Sequence, residues 1–352
     1  MRSTICASII CLSLVACKSS NENIYKQPEF PTVNNKASYK FLTDDLGFNS
    51  VDDMFIYENC IYIIAYNAEN QMYLHSYDIN TGKKLESRIK LGNGPGELIY
   101  PGISYLDYDT GHLYFYDKIK QTSVEFDLSD NTSLINTTQK FSTQWITHDF
   151  PLSGVGEIVV TSADNHSNDY RISLYDLENR NLLSKYDIFP LEKISEERHI
   201  VYQTDRADVS PNKKYLVLGT SYGSILEIFD ISKGIQLKNT KYFIEPTIKR
   251  RGSTYDIDDT VLGFNDIFAT SKYIYTAYDG ENRGDAPIND LFNNIAVFDY
   301  KGHPLSLSRI GNTVERICVD ENSGNIYCVL TLKTGEVKIA ILPIIDILGK
   351  NK

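Results

Sequence analysis

The residues best suited to chemistry lie in two long polar stretches in the second half of the chain. Pro246–Phe264 (PTIKRRGSTYDIDDTVLGF) contains Arg250 and Arg251, and Asp279–Asn294 contributes Arg283. A guanidinium group presents two N–H donors that match the two oxygens of a carboxylate or sulfate, so these arginines could hold an anionic ligand. They could equally form surface ion pairs with the aspartates that follow them. The sequence leaves both alternatives open.

A second candidate is the glycine-rich stretch Leu91–Pro101, LGNGPGELIYP, which contains Glu97. A phosphate-binding loop needs a following helix whose N-terminal N–H groups face the anion, and usually Gly-Lys-Ser/Thr. Here ISYLDYD follows instead, and this pattern is typical of a strand and a turn. We therefore expect a tight reversal between two β units, in which glycine permits positive φ. Glu97 could in addition contact a ligand.

The other chemistry-bearing residues form no known catalytic pattern. The six histidines are scattered, and the sequence contains no H-E-x-x-H, C-x-x-C, G-x-S-x-G or EF-hand motif. We therefore assign no catalytic residue, no metal site and no cofactor. The candidate ligand- or partner-binding residues are Arg250, Arg251, Arg283, Tyr255, Arg206, Tyr222, Trp145 and Glu97.

These candidates must be positioned by β structure, because most of the chain follows a repeated β pattern. The sequence holds 25 Tyr and 15 Phe against 3 Met, and helical periodicity is hard to find. One unit recurs along the chain: a turn, an alternating strand, a polar loop and a second strand that ends in an aromatic residue followed by Asp. The spacings between the closing aspartates of successive units are 49, 49, 54 and 69 residues. Periods of about 40–50 residues with several strands each indicate propeller blades or a related array. The closing aspartates are Asp78, Asp127, Asp176, Asp230 and Asp299.

The five closing aspartates are predicted to be structural rather than catalytic. One residue type at the same place in every unit normally makes the same turn. We expect each carboxylate to accept hydrogen bonds from backbone N–H groups just ahead of it.

Four strands in each of six units account for the chain from residue 39 to residue 348. The last unit has three recognisable strands, Arg316–Asp320, Ile326–Leu332 and Val337–Pro343. We expect Tyr39–Thr43 to supply its fourth strand, because pairing there removes an open edge. The predicted fold is all-β: a six-bladed β-propeller of four-stranded antiparallel blades, closed by an N-terminal strand. On this basis, deleting residues 18–36 should cost little stability.

Several motifs resemble those of a known family. G-N-G-P-G-E before an inner strand, G-H-L-Y-F-Y-D after it and V-E-F-D at the end of the unit look like the TolB-like six-bladed β-propeller lipoproteins. The segment Ser210–Val217, SPNKKYLV, is similar to the S-P-D-G-K-x-L-x core of TolB-type repeats, with Asn212 and Lys213 in place of Asp-Gly. The resemblance covers residues 40–345. It implies a binding or scaffold role in the cell envelope rather than a named reaction.

The N-terminus is predicted to carry a lipoprotein signal peptide, residues 1–16. Met1-Arg2 precedes the apolar run Ile5–Leu14, which is too short to span the roughly 30 Å of a bilayer core but suits a secretory signal. The ending L-V-A-C resembles a lipobox, so Cys17 is the expected lipidation site. Residues 17–38 are then expected to be the lipidated cysteine and a flexible linker. Lys18 weakly favours the outer membrane of a Gram-negative bacterium by resemblance to known sorting rules.

Charge and cysteine content limit the partners. A net charge of −11 argues against nucleic acid and against docking on an anionic membrane surface, so contact with the membrane is expected through the lipid only. Cys60, Cys318 and Cys328 are too few and too scattered for a disulfide scaffold. Cys318 and Cys328 flank one turn and are either a disulfide or two small core residues.

Two functions from different classes are consistent with these observations. The first is a monomeric, lipid-anchored binding or protein-interaction module of the cell envelope, with an envelope protein, a glycan or a peptide as ligand. The alternative is a propeller enzyme of the lyase or hydrolase type that acts on an anionic or carbohydrate substrate at the channel mouth. A carboxylate with a strongly perturbed pKa in a deep polar pocket would favour the enzyme. A flat or shallow aromatic face would favour the binding module.

Overall fold

The computed structural model describes residues 24–349, with gaps at 95, 118, 121, 130–133, 140–145, 153–156, 163–170, 177–180, 191–199, 203–205, 253, 257–259 and 282–290. Within these ranges the regular secondary structure is almost entirely β-strand, with a short C-terminal helix, Ile344–Leu348. No helix among the described residues has the length and apolar content needed to cross a membrane.

Consecutive strands pair antiparallel into sheets that follow one another along the chain. Sheet 1 comprises β3 (Asp53–Tyr57), β4 (Cys60–Asn67), β5 (Met72–Asp78) and β6 (Lys84–Lys90). Sheet 2 comprises β7 (Pro101–Asp107), β8 (His112–Asp117), β9 (Thr122–Asp127) and β10 (Leu134–Gln139). Sheet 3 comprises β11 (Ile146–Leu152), β12 (Glu157–Ser162), β13 (Ile172–Asp176) and β14 (Leu182–Tyr186).

The second half of the chain repeats this organisation with additions from the N-terminus. Sheet 4 comprises β15 (Arg206–Val209), β16 (Tyr215–Gly219), β17 (Ser224–Asp230) and β18 (Gln236–Ile244). A two-stranded ribbon follows, β19 (Lys249–Arg251) and β20 (Thr254–Asp256). Sheet 5 comprises β21 (Phe264–Ala269), β22 (Ile274–Tyr278), β23 (Asn294–Phe298), β24 (Pro304–Arg309) and the N-terminal β1 (Thr32–Asn34). Sheet 6 comprises β25 (Thr313–Asp320), β26 (Asn325–Thr331), β27 (Val337–Pro343) and the N-terminal β2 (Lys40–Phe41).

The sheets pack face to face around a common axis. Apolar clusters join sheet 1 to sheet 2, sheet 3 to sheet 4, sheet 4 to sheet 5, sheet 5 to sheet 6, and sheet 6 back to sheet 1. The first strand of each sheet lies innermost, so that β21 contacts both β15 and β25, and β25 contacts β3. These sheets therefore bury faces against one another around the axis, which is the arrangement of an all-β propeller.

The prediction of uniformly four-stranded antiparallel blades is wrong for sheet 5. This sheet has a fifth strand, β1, which pairs in parallel with β24, from Thr32 opposite Ser306 to Asn34 opposite Ser308. In sheet 6 the predicted fourth strand is β2, shorter than expected, with Lys40 opposite Ile341 and antiparallel to β27.

The prediction of a flexible linker over residues 17–38 is also wrong for its described part, residues 24–38. Tyr25 packs edge-on against Tyr242 of sheet 4, and Phe30 packs against Phe298 of sheet 5. Ala37 is 3% exposed within the cluster between sheets 5 and 6. A few apolar side chains and the open edge of β24 are enough to fix this polar segment along three sheets.

The closing aspartates make the predicted turns wherever their side chains are described. Asp78 Oδ1 accepts hydrogen bonds from Thr81 N at 2.8 Å and Thr81 Oγ1 at 2.7 Å. Asp127, Asp230 and Asp299 accept equivalent bonds from residues just after them. The structural interpretation of these four aspartates is confirmed, and the side chain of Asp176 lies outside the described residues.

The glycine-rich stretch is a closed loop between sheets 1 and 2, as predicted. Leu98 is fully buried, and Gly92 N donates to Leu98 O while Leu98 N donates to Lys90 O. Gly96 has φ +78°, a left-handed conformation that favours glycine. The stretch leads into strand β7 and not into a helix, so it cannot form a phosphate-binding loop of the helix-capping type.

Cys318 and Cys328 are free and buried, so the disulfide alternative is wrong. In the antiparallel register Cys318 lies opposite Tyr327, and Cys328 lies opposite Ile317. The one-residue offset places the two thiols on opposite faces of sheet 6. Cys318 accordingly belongs to the cluster with sheet 1, and Cys328 to the cluster with sheet 5.

A buried ion pair, which the sequence did not reveal, joins sheets 3 and 4. Arg171 forms a bidentate pair with Glu227, and both side chains are 2% exposed. The guanidinium carbon lies 5.0 Å from the ring centroid of Phe189 and 4.7 Å from that of Tyr202. Arg171 Nη1 also donates to Ile188 O at 2.9 Å. These contacts replace the interactions with water that the Arg171 guanidinium loses on burial.

Candidate functional site in the central channel

The innermost strands carry polar residues that face one another across the propeller axis. They are Asp53 on β3, Arg206 and Asp208 on β15, Asp266 on β21, and Arg316 on β25. Asp53, Asp266 and Arg316 all act electrostatically on Arg206, and Asp53 and Asp266 act on Asp208. Residues from sheets 1, 4, 5 and 6 therefore converge in one place, the central channel.

The channel aspartates connect each sheet to the next. Asp208 Oδ2 on sheet 4 accepts a hydrogen bond from Ala269 N on sheet 5 at 2.7 Å. Asp266 Oδ2 on sheet 5 accepts one from Ile317 N on sheet 6 at 2.7 Å. These carboxylates fasten neighbouring inner strands together, which gives them a structural role in the ring.

The same connection continues past sheet 6. Arg316 Nε donates to Asp52 O at the start of sheet 1, at 2.7 Å. Asp53 Oδ2 then accepts a hydrogen bond from Ser104 Oγ on sheet 2 at 2.5 Å, and its Oδ1 accepts one from Met54 N at 2.8 Å. The described polar contacts therefore run without interruption from sheet 4 through sheets 5, 6 and 1 to sheet 2.

Burial shifts the pKa values of these groups. It raises the pKa of Asp53 to about 7 in spite of the nearby Arg316, and that of Asp208 to about 8. It also raises the pKa of Asp266. Burial, together with the like charge of Arg316, lowers the pKa of Arg206 to about 10. The net charge of the channel therefore changes near neutral pH, where Arg206 stays protonated.

Arg206 differs from the channel carboxylates because one of its buried N–H donors is not used. Its Nε is buried and has no hydrogen-bond partner among the described residues. The oxygens of Asp53, Asp208 and Asp266 accept the inter-sheet and local bonds described above. A buried donor without a protein partner is costly, and such donors commonly mark a place where a ligand or ordered water completes the bond.

Tyr108, from the turn between β7 and β8, occupies the end of the channel at which the inner strands end. Its hydroxyl lies 3.9 Å from Cys318 Sγ on sheet 6. The Tyr108 side chain is 42% exposed, but its hydroxyl is buried. This burial raises the pKa of Tyr108, and the neighbouring Cys318 raises it further. Lys213 Nζ holds the same turn from sheet 4, at 3.1 Å from Asp109 Oδ2. We call the other end of the channel, where the inner strands begin, the channel mouth.

Of the predicted site residues whose side chains are described, Arg206 lies in the channel. Glu97 Oε2 accepts a hydrogen bond from Gly94 N at 2.8 Å and so stabilises its own loop. Tyr222 lies between β16 and β17, where its backbone bridges to Leu262. Glu97 and Tyr222 thus belong to different loops at the mouth.

The two long stretches with arginines are joined at their bases. Leu262 N donates to Glu281 O at 3.0 Å, and Gly280 N donates to Leu262 O at 2.9 Å. Arg251 is 74% exposed and forms an ion pair with Asp256 at 2.6 Å. For this residue the structure shows the second alternative, a surface ion pair with a following aspartate. Arg250 and Tyr255 pair within the ribbon, but their side chains lie outside the described residues, as do Arg283 and Trp145.

The channel aspartates were missed in the sequence because they lie at the start of inner strands or within them, and not at the ends of strands. Asp53, Asp208 and Asp266 each precede an apolar residue in an inner strand, and this shared position was the available signal. No group of three or more His, Cys, Asp or Glu side chains within the described part of the chain is placed to hold a metal ion.

Comparison with known proteins supports the same fold. A family model described as "TolB-like 6-blade propeller-like" matches residues 46–322. A Bacteroides fragilis protein of known structure, described as exported, is similar with a TM-score of 0.59 and 12% identity, covering 90% of this chain and 98% of that one. A member of the DUF4221 family from Bacteroides vulgatus is similar with a TM-score of 0.53 and 12% identity, covering 88% and 98%. At such identities the likeness shows the fold alone, and no curated protein matches the chain.

Proposed function

The chain belongs to the TolB-like 6-blade propeller-like family, and from this premise we propose that it is a lipid-anchored binding module of the cell envelope. Its ligand site is the mouth-facing part of the central channel, and its ligand carries a carboxylate or sulfate group. The observation that carries this proposal is Arg206, whose buried Nε has no hydrogen-bond partner among the described residues.

The charge of the channel supports an anionic ligand. Arg206 and Arg316 lie near one another, and Arg206 remains protonated at neutral pH because its pKa is about 10. With pKa values of about 7 and about 8, Asp53 and Asp208 are largely neutral in mildly acidic solution. The channel then has an excess of positive charge, and a planar guanidinium can form a two-point bond with the incoming oxygens.

Titration calorimetry with succinate and with sulfate tests the proposal. The full-length protein in detergent should bind at least one of them at about pH 6, and Arg206→Gln should weaken that binding about tenfold or more. Arg206→Lys keeps the charge but loses the planar fork, so we expect an intermediate effect. Arg251→Gln removes an exposed, ion-paired arginine and is the matched control, with no change expected. Equal binding by Arg206→Gln and the unmodified protein would contradict the proposal.

We further propose that sheets 1–6 are six blades, and that β2 closes the ring by joining blade 6. The antiparallel pairing of Lys40 with Ile341 supports this closure, as does the contact of β25 with β3. The N-terminal anchor is proposed to be a lipid on Cys17, on the basis of the L-V-A-C motif, and the outer membrane is proposed on the basis of Lys18.

A catalytic role is the second candidate, and one observation favours it. A carboxyl group with a pKa of about 8, such as Asp208, can donate a proton at neutral pH. Both oxygens of Asp208 already accept backbone hydrogen bonds, from Val209 and Ala269, which favours the binding module. Release of unsaturated products from a polyuronate, abolished by Asp208→Asn, would favour the enzyme instead.

A further inference from the structure

An exposed aromatic surface lies beside the channel mouth, separate from Arg206. Tyr66, at the end of β4, is 42% exposed, and Tyr100, just before β7, is 53% exposed. Ile119, between β8 and β9, is 64% exposed. All three lie where sheets 1 and 2 turn at the end at which inner strands begin. We call these residues, together with the buried Tyr73 beneath them, the tyrosine platform.

Tyr73 supports the platform from below. Its ring is 7% exposed and lies 5.4 Å from the ring of Tyr66, centroid to centroid, at an interplanar angle of 46°. The Tyr73 hydroxyl donates to Ile99 O at 3.0 Å, which fixes the residue before Tyr100. The exposed ring of Tyr66 therefore packs against a buried and hydrogen-bonded ring, and the same Tyr73 side chain fixes the backbone next to Tyr100.

A single buried carboxylate holds the two loops of the platform together. Asp117 has no exposed surface, and its Oδ2 accepts hydrogen bonds from Ile99 N at 2.6 Å and Tyr100 N at 3.4 Å. Its Oδ1 accepts bonds from Ile119 N at 2.9 Å and Lys120 N at 3.0 Å. The backbones of both exposed residues are thus fixed by one side chain. Such preorganisation lowers the entropy that must be lost when a ligand binds.

The charged groups nearest the platform are already occupied. The carboxylate of Asp117 is enclosed, and Lys120 Nζ donates to Glu97 O at 2.6 Å. The Glu97 carboxylate accepts the bond from Gly94 N. Among the described side chains, the platform therefore presents aromatic faces with phenol groups and no dedicated charge. This surface matches a neutral ligand that has flat apolar faces and hydroxyl groups.

From this geometry we propose that the tyrosine platform binds a neutral oligosaccharide, whose sugar rings stack on Tyr66 and Tyr100. A protein partner fits less well, because a standard protein interface buries about 800 Å² on each side, more than three exposed side chains can supply. Tyrosine suits the role because it offers a large contact area with few rotatable bonds.

The test uses the full-length protein in detergent and three neutral probes, maltohexaose, cellohexaose and xylohexaose, measured by titration calorimetry. At least one probe should bind with a Kd of about 1 mM or tighter. The double variant Tyr66→Ala/Tyr100→Ala should weaken this binding about tenfold or more. Tyr66→Phe/Tyr100→Phe keeps the rings and should retain most of the affinity.

Controls separate this site from general effects on the surface or the fold. Leu85→Ala truncates a side chain on β6 of sheet 1 that is 53% exposed, and it should not change binding. Arg206→Gln should not change oligosaccharide binding either, so the proposals for the tyrosine platform and for the channel can be refuted independently. Binding of none of the probes, or equal binding by the double alanine variant with an unchanged melting temperature, would overturn the proposal.

Discussion

The carboxylate of Asp208 on β15 and the backbone N–H of Ala269 on β21 are joined across two sheets by a 2.7 Å hydrogen bond. The bond lies inside the propeller, where burial raises the pKa of Asp208 to about 8. One side chain therefore both connects two sheets and titrates near neutral pH. The consequences can be measured.

The stability of the protein should fall as pH rises through neutrality. An aspartate in the unfolded chain has a pKa of about 3.9, so between about pH 4 and about pH 8 the folded state holds a proton that the unfolded state has released. The stabilising contribution is complete below the unfolded pKa and is lost as pH rises through the folded pKa. We expect the melting temperature to be lower at about pH 8.5 than at about pH 5.5, and Asp208→Asn to flatten this dependence.

Asp78→Asn is the control for that experiment. The hydrogen bonds that Asp78 receives from Thr81 lower its pKa, so it titrates below the relevant range and its substitution should leave the slope unchanged. A slope that is the same in Asp208→Asn and the unmodified protein would show that Asp208 does not titrate in this range.

Anion binding in the channel should weaken as pH rises. Between about pH 6 and about pH 8.5, Asp53 and Asp208 become ionised and repel an anionic ligand near Arg206. The dissociation constant for succinate or sulfate, measured by calorimetry at both pH values, should therefore increase. An affinity that is constant or rises over this interval would place the anion away from these carboxylates.

Deleting residues 18–36 should destabilise the protein. The deletion removes β1 and the contact of Phe30 with Phe298, so we expect a loss of at least about 2 kcal/mol of unfolding free energy. Deleting residues 18–44 also removes β2 and should cost more. Thermal unfolding of the two truncations and of a control lacking only residues 18–23 measures both effects. Equal stability of the two longer truncations would argue against closure by β2.

Breaking the buried pair between Arg171 and Glu227 should be strongly destabilising. Glu227→Ala leaves a buried guanidinium without its carboxylate, which typically costs about 3–5 kcal/mol. Glu29→Ala removes the pair with Lys26, in which the side chains are 83% and 80% exposed, and should cost less than about 1 kcal/mol. Denaturant unfolding of the two variants compares them directly, and similar losses would mean that burial does not govern the strength of the first pair.

Cys17→Ser should release the protein from membranes. Without the thiol no acyl chain can be attached, and the variant should appear in the supernatant after high-salt washing and sedimentation. Sedimentation of the variant together with the envelope fraction would show that the lipobox interpretation is wrong.

The repeated strands could be predicted from the sequence because their cause is local. Alternation of apolar and polar side chains fixes a strand, and Gly, Asn and Asp fix the turns on either side. Lys84–Lys90 and Val337–Pro343 follow directly from this pattern, and so do the turns at Asp78 and Asp230. The same local signals identified the glycine-rich loop as a connection between sheets.

What the sequence alone did not determine depends on contacts between distant residues. Whether Cys318 and Cys328 can bond depends on a register offset of one residue, which flips a side chain to the other face. The N-terminal segment reads as polar linker, but it is held by an edge strand that lies about 270 residues further along the chain. Asp53, Asp208, Asp266 and Arg206 share a channel only because three sheets meet at one axis. Their altered pKa values arise from that burial, so only the tertiary structure could decide them.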